Sequence, residues 1–292
     1  MPDQYTSSCW PQPEFSPNGR YLAVNRSSGA NVPPELVVID TTTWHVSAVA
    51  VGFGYSFSWS PDSKQLLHTH PLVQNPTDLS FEPDQGLWVL EITSGKEHRL
   101  IPTIPDFVVS EVNWSPDGQR IAMHQAFYEG YGRFGIINSD GSGFKKWDGT
   151  AIGSFDWSPD GQKIVYDEII YSPVPSSKLW LMDLQGNPPV PLFDQDNLAA
   201  SNPQYSPEGQ WIEFREVHDP KGEGLAYLWL MRSNGQDPRA FYEDALDHVT
   251  WVTWASDSFH LLVNNDTSIF LVSVDESPPI LLAEGGCPVW QP

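Results

Sequence analysis

The sequence predicts an all-β protein, a six-bladed β-propeller with four antiparallel strands in each blade. Three observations lead there. A short aromatic–turn–apolar motif recurs six times, each copy is followed by a second hairpin signal, and no long helical pattern interrupts the series. The 292 residues are 40% hydrophobic and 13% aromatic, enough for a packed core and too aromatic for a disordered chain.

The motif opens each unit. It runs Glu14-Phe-Ser-Pro-Asn-Gly, Ser58-Trp-Ser-Pro-Asp-Ser and Asn113-Trp-Ser-Pro-Asp-Gly, then Asp156-Trp-Ser-Pro-Asp-Gly, Gln204-Tyr-Ser-Pro-Glu-Gly and Thr253-Trp-Ala-Ser-Asp-Ser. Its aromatics, Phe15, Trp59, Trp114, Trp157, Tyr205 and Trp254, lie about 48 residues apart on average. Pro presets φ for the first turn position, Asp or Asn bonds its own backbone, and Gly supplies a left-handed residue. Apolar residues follow, as in Ile164-Val-Tyr, so the motif reads as strand, tight turn, strand. The sixth copy departs furthest, so the motif specifies its turn geometry least.

The second hairpin of each unit is legible as Leu36-Val-Val-Ile-Asp, Leu87-Trp-Val-Leu-Glu, Phe134-Gly-Ile-Ile-Asn, Leu179-Trp-Leu-Met-Asp, Leu228-Trp-Leu-Met-Arg and Phe270-Leu-Val-Ser-Val-Asp. Four strands per unit place the blades at roughly 10–50, 54–102, 108–147, 151–193, 199–242 and 247–283 of a single domain, with a tail, 284–292, closing the ring.

These Trp-Ser-Pro-Asp-Gly-like units resemble the TolB-type propeller repeat, and they cover nearly the whole chain. They are also similar to the propeller domains of prolyl-oligopeptidase-like serine peptidases. The resemblance implies the six-bladed fold. It implies little about activity, because one scaffold hosts many functions.

The strand before each turn is expected to be innermost. One residue before the six aromatics stand Glu14, Ser58, Asn113, Asp156, Gln204 and Thr253, all polar; two before stand Pro13, Phe57, Val112, Phe155, Pro203 and Val252, all apolar. Period-two alternation puts the two sets on opposite faces, the apolar set and aromatics between blades and the polar set on the channel wall. That polar ring, with Glu111, reads first as a hydrogen-bonded collar holding the inner strands in register, because buried polar groups need partners with or without a ligand, and second as a ligand site. Glu14, Glu111 and Asp156 could hold Ca²⁺ or Mg²⁺ through oxygen ligands; no other cofactor is indicated.

Loops supply the second set of candidates. The longest, 70–85, carries His70 and Phe81, and others carry Phe127, Tyr128, Tyr131 and Tyr171, aromatics suited to a protein or peptide surface. Asp106, Asp148, Asp194, Asp196, Glu243, Asp244 and Asp247 punctuate the connectors. With 15 basic and 37 acidic residues the formal charge is −22, which favours a basic partner and argues against nucleic acid and anionic membrane. Nothing calls for an oligomer, so a monomer is expected. His68 and His70 share one side of a strand end, with His124 and His218 at corresponding ends. Two ligands alone make a weak zinc site, and packed or solvated histidines fit better.

Catalytic signatures are absent: no Gly-x-Ser-x-Gly elbow, phosphate-binding glycine loop or metalloprotease helix occurs. The leading expectation is a non-catalytic binding scaffold presenting loops and channel mouth to a protein or peptide. The alternatives are a propeller enzyme or carbohydrate binder using channel carboxylates, and a structural domain of a larger chain. Cys9 and Cys287 stand near opposite ends of the sequence, where a closed ring would let them form a disulfide or leave two buried thiols. The resemblance suggests an extracytoplasmic setting, whereas the start, MPDQYTSSCW, lacks the features of a secretory signal and suggests a cytoplasmic one.

Overall fold

The computed structural model describes residues 13–26, 35–51, 56–69, 73–74, 81–82, 86–101, 108–126, 133–147, 151–170, 176–194, 199–217, 226–241, 246, 249–265, 267–285 and 290–291. They form six four-stranded antiparallel blades in two compact units: Met1–Asp148 with Gln291–Pro292, and Gly149–Trp290. No described helix is long and apolar enough to cross a membrane.

In the first unit, blade one comprises β1 (Glu14–Phe15), β2 (Tyr21–Arg26), β3 (Glu35–Asp40) and β4 (His45–Val51). Blade two begins with β5 (Phe57–Trp59) and β6 (Gln65–Thr69). A two-stranded ribbon, β7 (Val73–Gln74) with β8 (Phe81–Glu82), precedes its outer strands β9 (Leu87–Glu91) and β10 (Glu97–Ile101). Blade three comprises β11 (Val108–Trp114), β12 (Arg120–Ala126), β13 (Arg133–Asn138) and β14 (Lys145–Trp147). The ribbon lies in the segment read from sequence as a long loop. Its two strands have two residues each, too few for a period-two pattern to stand out in the sequence.

In the second unit, blade four comprises β15 (Ile152–Trp157), β16 (Lys163–Ile170), β17 (Ser176–Asp183) and β18 (Val190–Phe193). Blade five comprises β19 (Ala199–Tyr205), β20 (Trp211–Val217), β21 (Ala226–Arg232) and β22 (Arg239–Phe241). Blade six comprises β23 (Trp251–Trp254), β24 (His260–Asn264), β25 (Ser268–Ser273) and β26 (Ile280–Glu284). One parallel bridge, Ser177 to Ala199, links the sheets of blades four and five, and Ser177 Oγ donates beside it to Ala200 O at 2.5 Å.

Within each unit the apolar core lies between consecutive blades. Tyr21, Leu36 and Val38 of blade one pack with Phe57, Trp59 and Leu66 of blade two. Leu67, Leu87 and Val89 on blade two's other face pack with Val112, Trp114 and Met123 of blade three. The second unit repeats the scheme: Val165, Leu179 and Phe193 meet Tyr205, Ile212 and Phe214, while Trp211, Leu228 and Phe241 meet Val252, Trp254 and Val263. The motif aromatics Trp59, Trp114, Tyr205 and Trp254 are thus inter-blade core, as the alternation predicts.

Each motif closes as one hydrogen-bonded unit. In blade three, Ser115 Oγ donates to Asp117 Oδ1 (2.6 Å) and accepts from Arg120 N–H (2.9 Å), Gln119 N–H bonds Asp117 Oδ1 (3.0 Å), and Gly118 N–H bonds Ser115 O (2.8 Å). Gly118 sits at φ 70°, the left-handed region glycine enters without strain. Ser63 and Ser258 replace that glycine in blades two and six and still adopt φ 61° and 56°. Each uses its hydroxyl on the preceding turn: Ser63 Oγ accepts from Asn18 N–H (3.1 Å) and Ser258 Oγ from Glu208 N–H (2.8 Å). The sixth turn keeps the common geometry although Ala255 supplies no hydroxyl. Its closing Ser258 N–H to Ala255 O bond, at 3.2 Å, is the longest of the six.

Candidate functional site

The inner-strand polar residues act first on their neighbours. Ser58 Oγ accepts from Trp114 N–H at 2.9 Å, and Ser56 Oγ, two residues upstream, accepts from Val112 N–H at 3.1 Å. Two hydroxyls of blade two thereby fix the inner strand of blade three. Asp156 performs the same operation in the second unit: Oδ2 accepts from Tyr205 N–H (2.8 Å) and Oδ1 from Trp157 N–H (2.9 Å). In both pairs a polar side chain one residue before an aromatic grips the backbone of the next blade's aromatic.

Asn113 Nδ2 donates to Glu111 Oε1 at 3.4 Å on the same strand, and Gln204 and Thr253 are half-buried on β19 and β23. Glu14 is accessible to solvent, yet protein atoms crowd it enough to push its carboxyl up to about 7. Among the described residues no three His, Cys, Asp or Glu side chains are gathered as a metal ion would require.

Blades four and five hold a cluster the inner-strand reading missed. Glu213 and Arg215 alternate with the core residues Ile212 and Phe214 on β20, so both point to the face opposite that core. Glu213 is 1% exposed. Burial, reinforced by the neighbouring Asp156 charge and opposed by Arg215, pushes it up to about 8. Burial likewise raises Asp156 to about 7. Arg215 Nη1 donates to Thr250 O at 2.9 Å. Burial lowers the Arg215 guanidinium against the attraction of Glu213 and Asp167. Glu213 Oε2 and Arg215 Nε are buried without a hydrogen-bond partner among the described residues.

Asp167 completes the cluster. Its carboxylate accepts from Ser154 N–H (2.7 Å) and from Asn202 N–H, while burial still raises it to about 6. Both donors sit at register shifts: β15 slips between Ile152 and Phe155, and β19 between Ser201 and Gln204, where Asn202 adopts φ 54°. Gly153 makes room, since a Cβ there would overlap Asp167 Oδ2. A polar residue recurring at alternate positions within Trp211-Ile-Glu-Phe-Arg-Glu-Val is the signal that could have revealed Glu213 and Arg215.

His68 is fully buried, with Nε2 against Glu97 Oε1 at 2.5 Å. Asp194 pairs with Lys178 at 2.6 Å. His70, Phe127, Tyr128, Tyr131, Tyr171, His218, Cys9 and Cys287 lie outside the described residues, as do the other connector acids, and Phe81 is described only in its backbone. From the tail, Gln291 Nε2 donates to Gly19 O at 3.4 Å, beside the first motif turn.

No sequence-family model matches the chain, and no curated protein aligns with it significantly. Solved structures do match. Prolyl oligopeptidase B from Galerina marginata, bound to a 35mer substrate, superposes with a TM-score of 0.73 at 12% identity, over 94% of this chain and 41% of its own. TolB from Acinetobacter baumannii gives 0.55 at 19% identity over 77% of this chain and 52% of its own. Oligogalacturonate lyase from Vibrio parahaemolyticus gives 0.70 at 9% identity over 94% and 77%. The chain spans about two fifths of the length of the prolyl oligopeptidase B chains it matches. It has the fold of the TolB and prolyl oligopeptidase propellers, and at these identities the likeness concerns fold alone.

Proposed function

We propose that this chain is a non-catalytic binding propeller that presents its loops and inner-strand ends to a basic protein or peptide. The observation that carries the reading is the use of Ser58 and Asp156. The polar residues best placed for chemistry on the inner strands are committed to hydrogen bonds with the next blade, the role of a structural collar. Binding then falls to the surface, where a formal charge of −22 favours cationic partners and speeds their encounter.

The test is a charge-graded series of otherwise matched peptides, measured by surface plasmon resonance at low and high salt. Affinity should rise with peptide positive charge, and association should slow as salt is added. Affinity that ignores charge would overturn the reading. A second reading, a carbohydrate or small-ligand propeller, draws on Asp156 and Glu213, whose raised values of about 7 and 8 are of the kind found at proton-exchanging sites. Saccharide binding lost in Glu213→Gln, with no peptide binding, would select it.

A further inference from the structure

The outer strand of blade six differs from those of the other blades. An outer strand leaves one row of backbone N–H and C=O groups without a neighbour, and proteins ordinarily guard such edges with charges, proline or short length. Here β10 carries Glu97, His98 and Arg99, β14 carries Lys145 and Lys146, β18 carries Pro191, and β22 is three residues long with Arg239. In β4, Ala48 and Ala50 are buried in the core shared with blade two. By contrast β26, Ile280-Leu-Leu-Ala-Glu, pairs among the described residues with β25 alone and is exposed at every residue.

Ile280, Leu281 and Leu282 are 57%, 57% and 52% exposed. Scattered apolar exposure is ordinary, but a run of three on one open edge marks an interaction surface. A one-residue register shift recurs in the pairing of β4, β10, β18 and β26, so it does not set β26 apart; its side chains do. The edge is also framed by acid, with Asp275 in the preceding turn and Glu284 at its end, on a chain of net charge −22.

We infer that β26 is a strand-addition site for an extended segment of a partner protein that carries apolar residues at alternate positions and basic residues at its flanks. Backbone bonding along β26 supplies affinity, Ile280, Leu281 and Leu282 take the apolar side chains, and Asp275 and Glu284 receive the basic flanks. A second copy of this chain fits the edge poorly, because it brings the same acids to it. The inference rests on the basic-partner reading above and locates where that partner engages.

The probe is a fluorescein-labelled peptide, Lys-Lys-Val-Thr-Val-Thr-Val-Lys-Lys, followed by anisotropy and by hydrogen exchange on the intact chain. Binding should protect those amides of β26 that point away from β25. Leu281→Lys and Leu282→Pro should each weaken it at least about tenfold, equivalent to about 1.4 kcal/mol. Both changes lie on an exposed edge, and circular dichroism melts identify whichever variant retains the parental fold. Unchanged affinity in a folded variant, or protection confined to other residues, would overturn this inference and leave the binding-propeller reading intact. Failure of the parent protein to bind the probe would also overturn it, while the charge-graded series judges the broader reading separately. Sedimentation showing a dimer that Leu281→Lys dissolves would assign the edge to a second copy instead.

Discussion

Ser63 shows how much one atom can change at a repeated position. A left-handed backbone costs a non-glycine residue about 1–2 kcal/mol, yet Ser63 holds φ 61° and returns a hydrogen bond to Asn18 on the neighbouring turn. Ser63→Ala keeps the strain and loses the bond, so urea unfolding should show a loss of about 1 kcal/mol. Ser63→Gly loses the bond and relieves the strain, and should fall within about 0.5 kcal/mol of the parent. An alanine variant as stable as the glycine one would show that the hydroxyl does not matter. From sequence alone Ser63 was a mere departure from the motif, because its partner sits 45 residues away.

At the scale of elements, inner strands were legible and their irregularities were not. The alternation around Trp114 foretold that the ring faces another blade, and it packs with Leu67, Leu87 and Val112. Trp114→Ala should therefore cost about 3–5 kcal/mol in denaturant titration, and a loss below about 1 kcal/mol would contradict the inter-blade placement. The register shifts at Gly153–Ser154 and at Asn202 escaped the sequence reading. A slip is defined by the partner strand, and neither segment announces which residue it will skip. The same blindness hid Asp167, whose role arises only when two such slips present their N–H groups to one carboxylate. Glu213 and Arg215 stand on the strand after the motif turn, outside the polar positions that the motif itself marks on the strand before it.

Across the whole molecule, two populations of carboxyl groups shape the pH response in opposite directions. Asp40, Asp62, Asp140, Asp160, Asp183 and Asp275 accept hydrogen bonds from Ser, Thr or Asn side chains and turn N–H groups, which lower them from the ordinary 3.8, Asp40 to about 2. Their stabilisation is present above 3.8 and disappears as pH falls through the folded values. Asp167, Asp156 and Glu213 are raised by burial to about 6, 7 and 8 from 3.8, 3.8 and 4.5. Their contribution is complete below the unfolded values and is lost as pH climbs through the folded ones. Calorimetry should find the highest melting temperature near about pH 4–5, with a decline toward pH 8.5. Glu213→Gln should remove much of that alkaline decline, and a variant with the parental slope would show that Glu213 does not titrate as described.

The turn-to-turn contacts mean that the blades are not interchangeable parts. Ser63 meets Asn18, Ser258 meets Glu208, and the glycines at the same place in blades three and five instead lie beside Pro61 and Pro159. A Cβ at Gly209 would come within 3.2 Å of Pro159, so a serine transplanted there would crowd a ring and still lack a left-handed glycine's freedom. Shuffling the repeats would keep every blade's internal pairing while mismatching its borders. What looks like sixfold repetition is, at its seams, an ordered sequence of distinct neighbours.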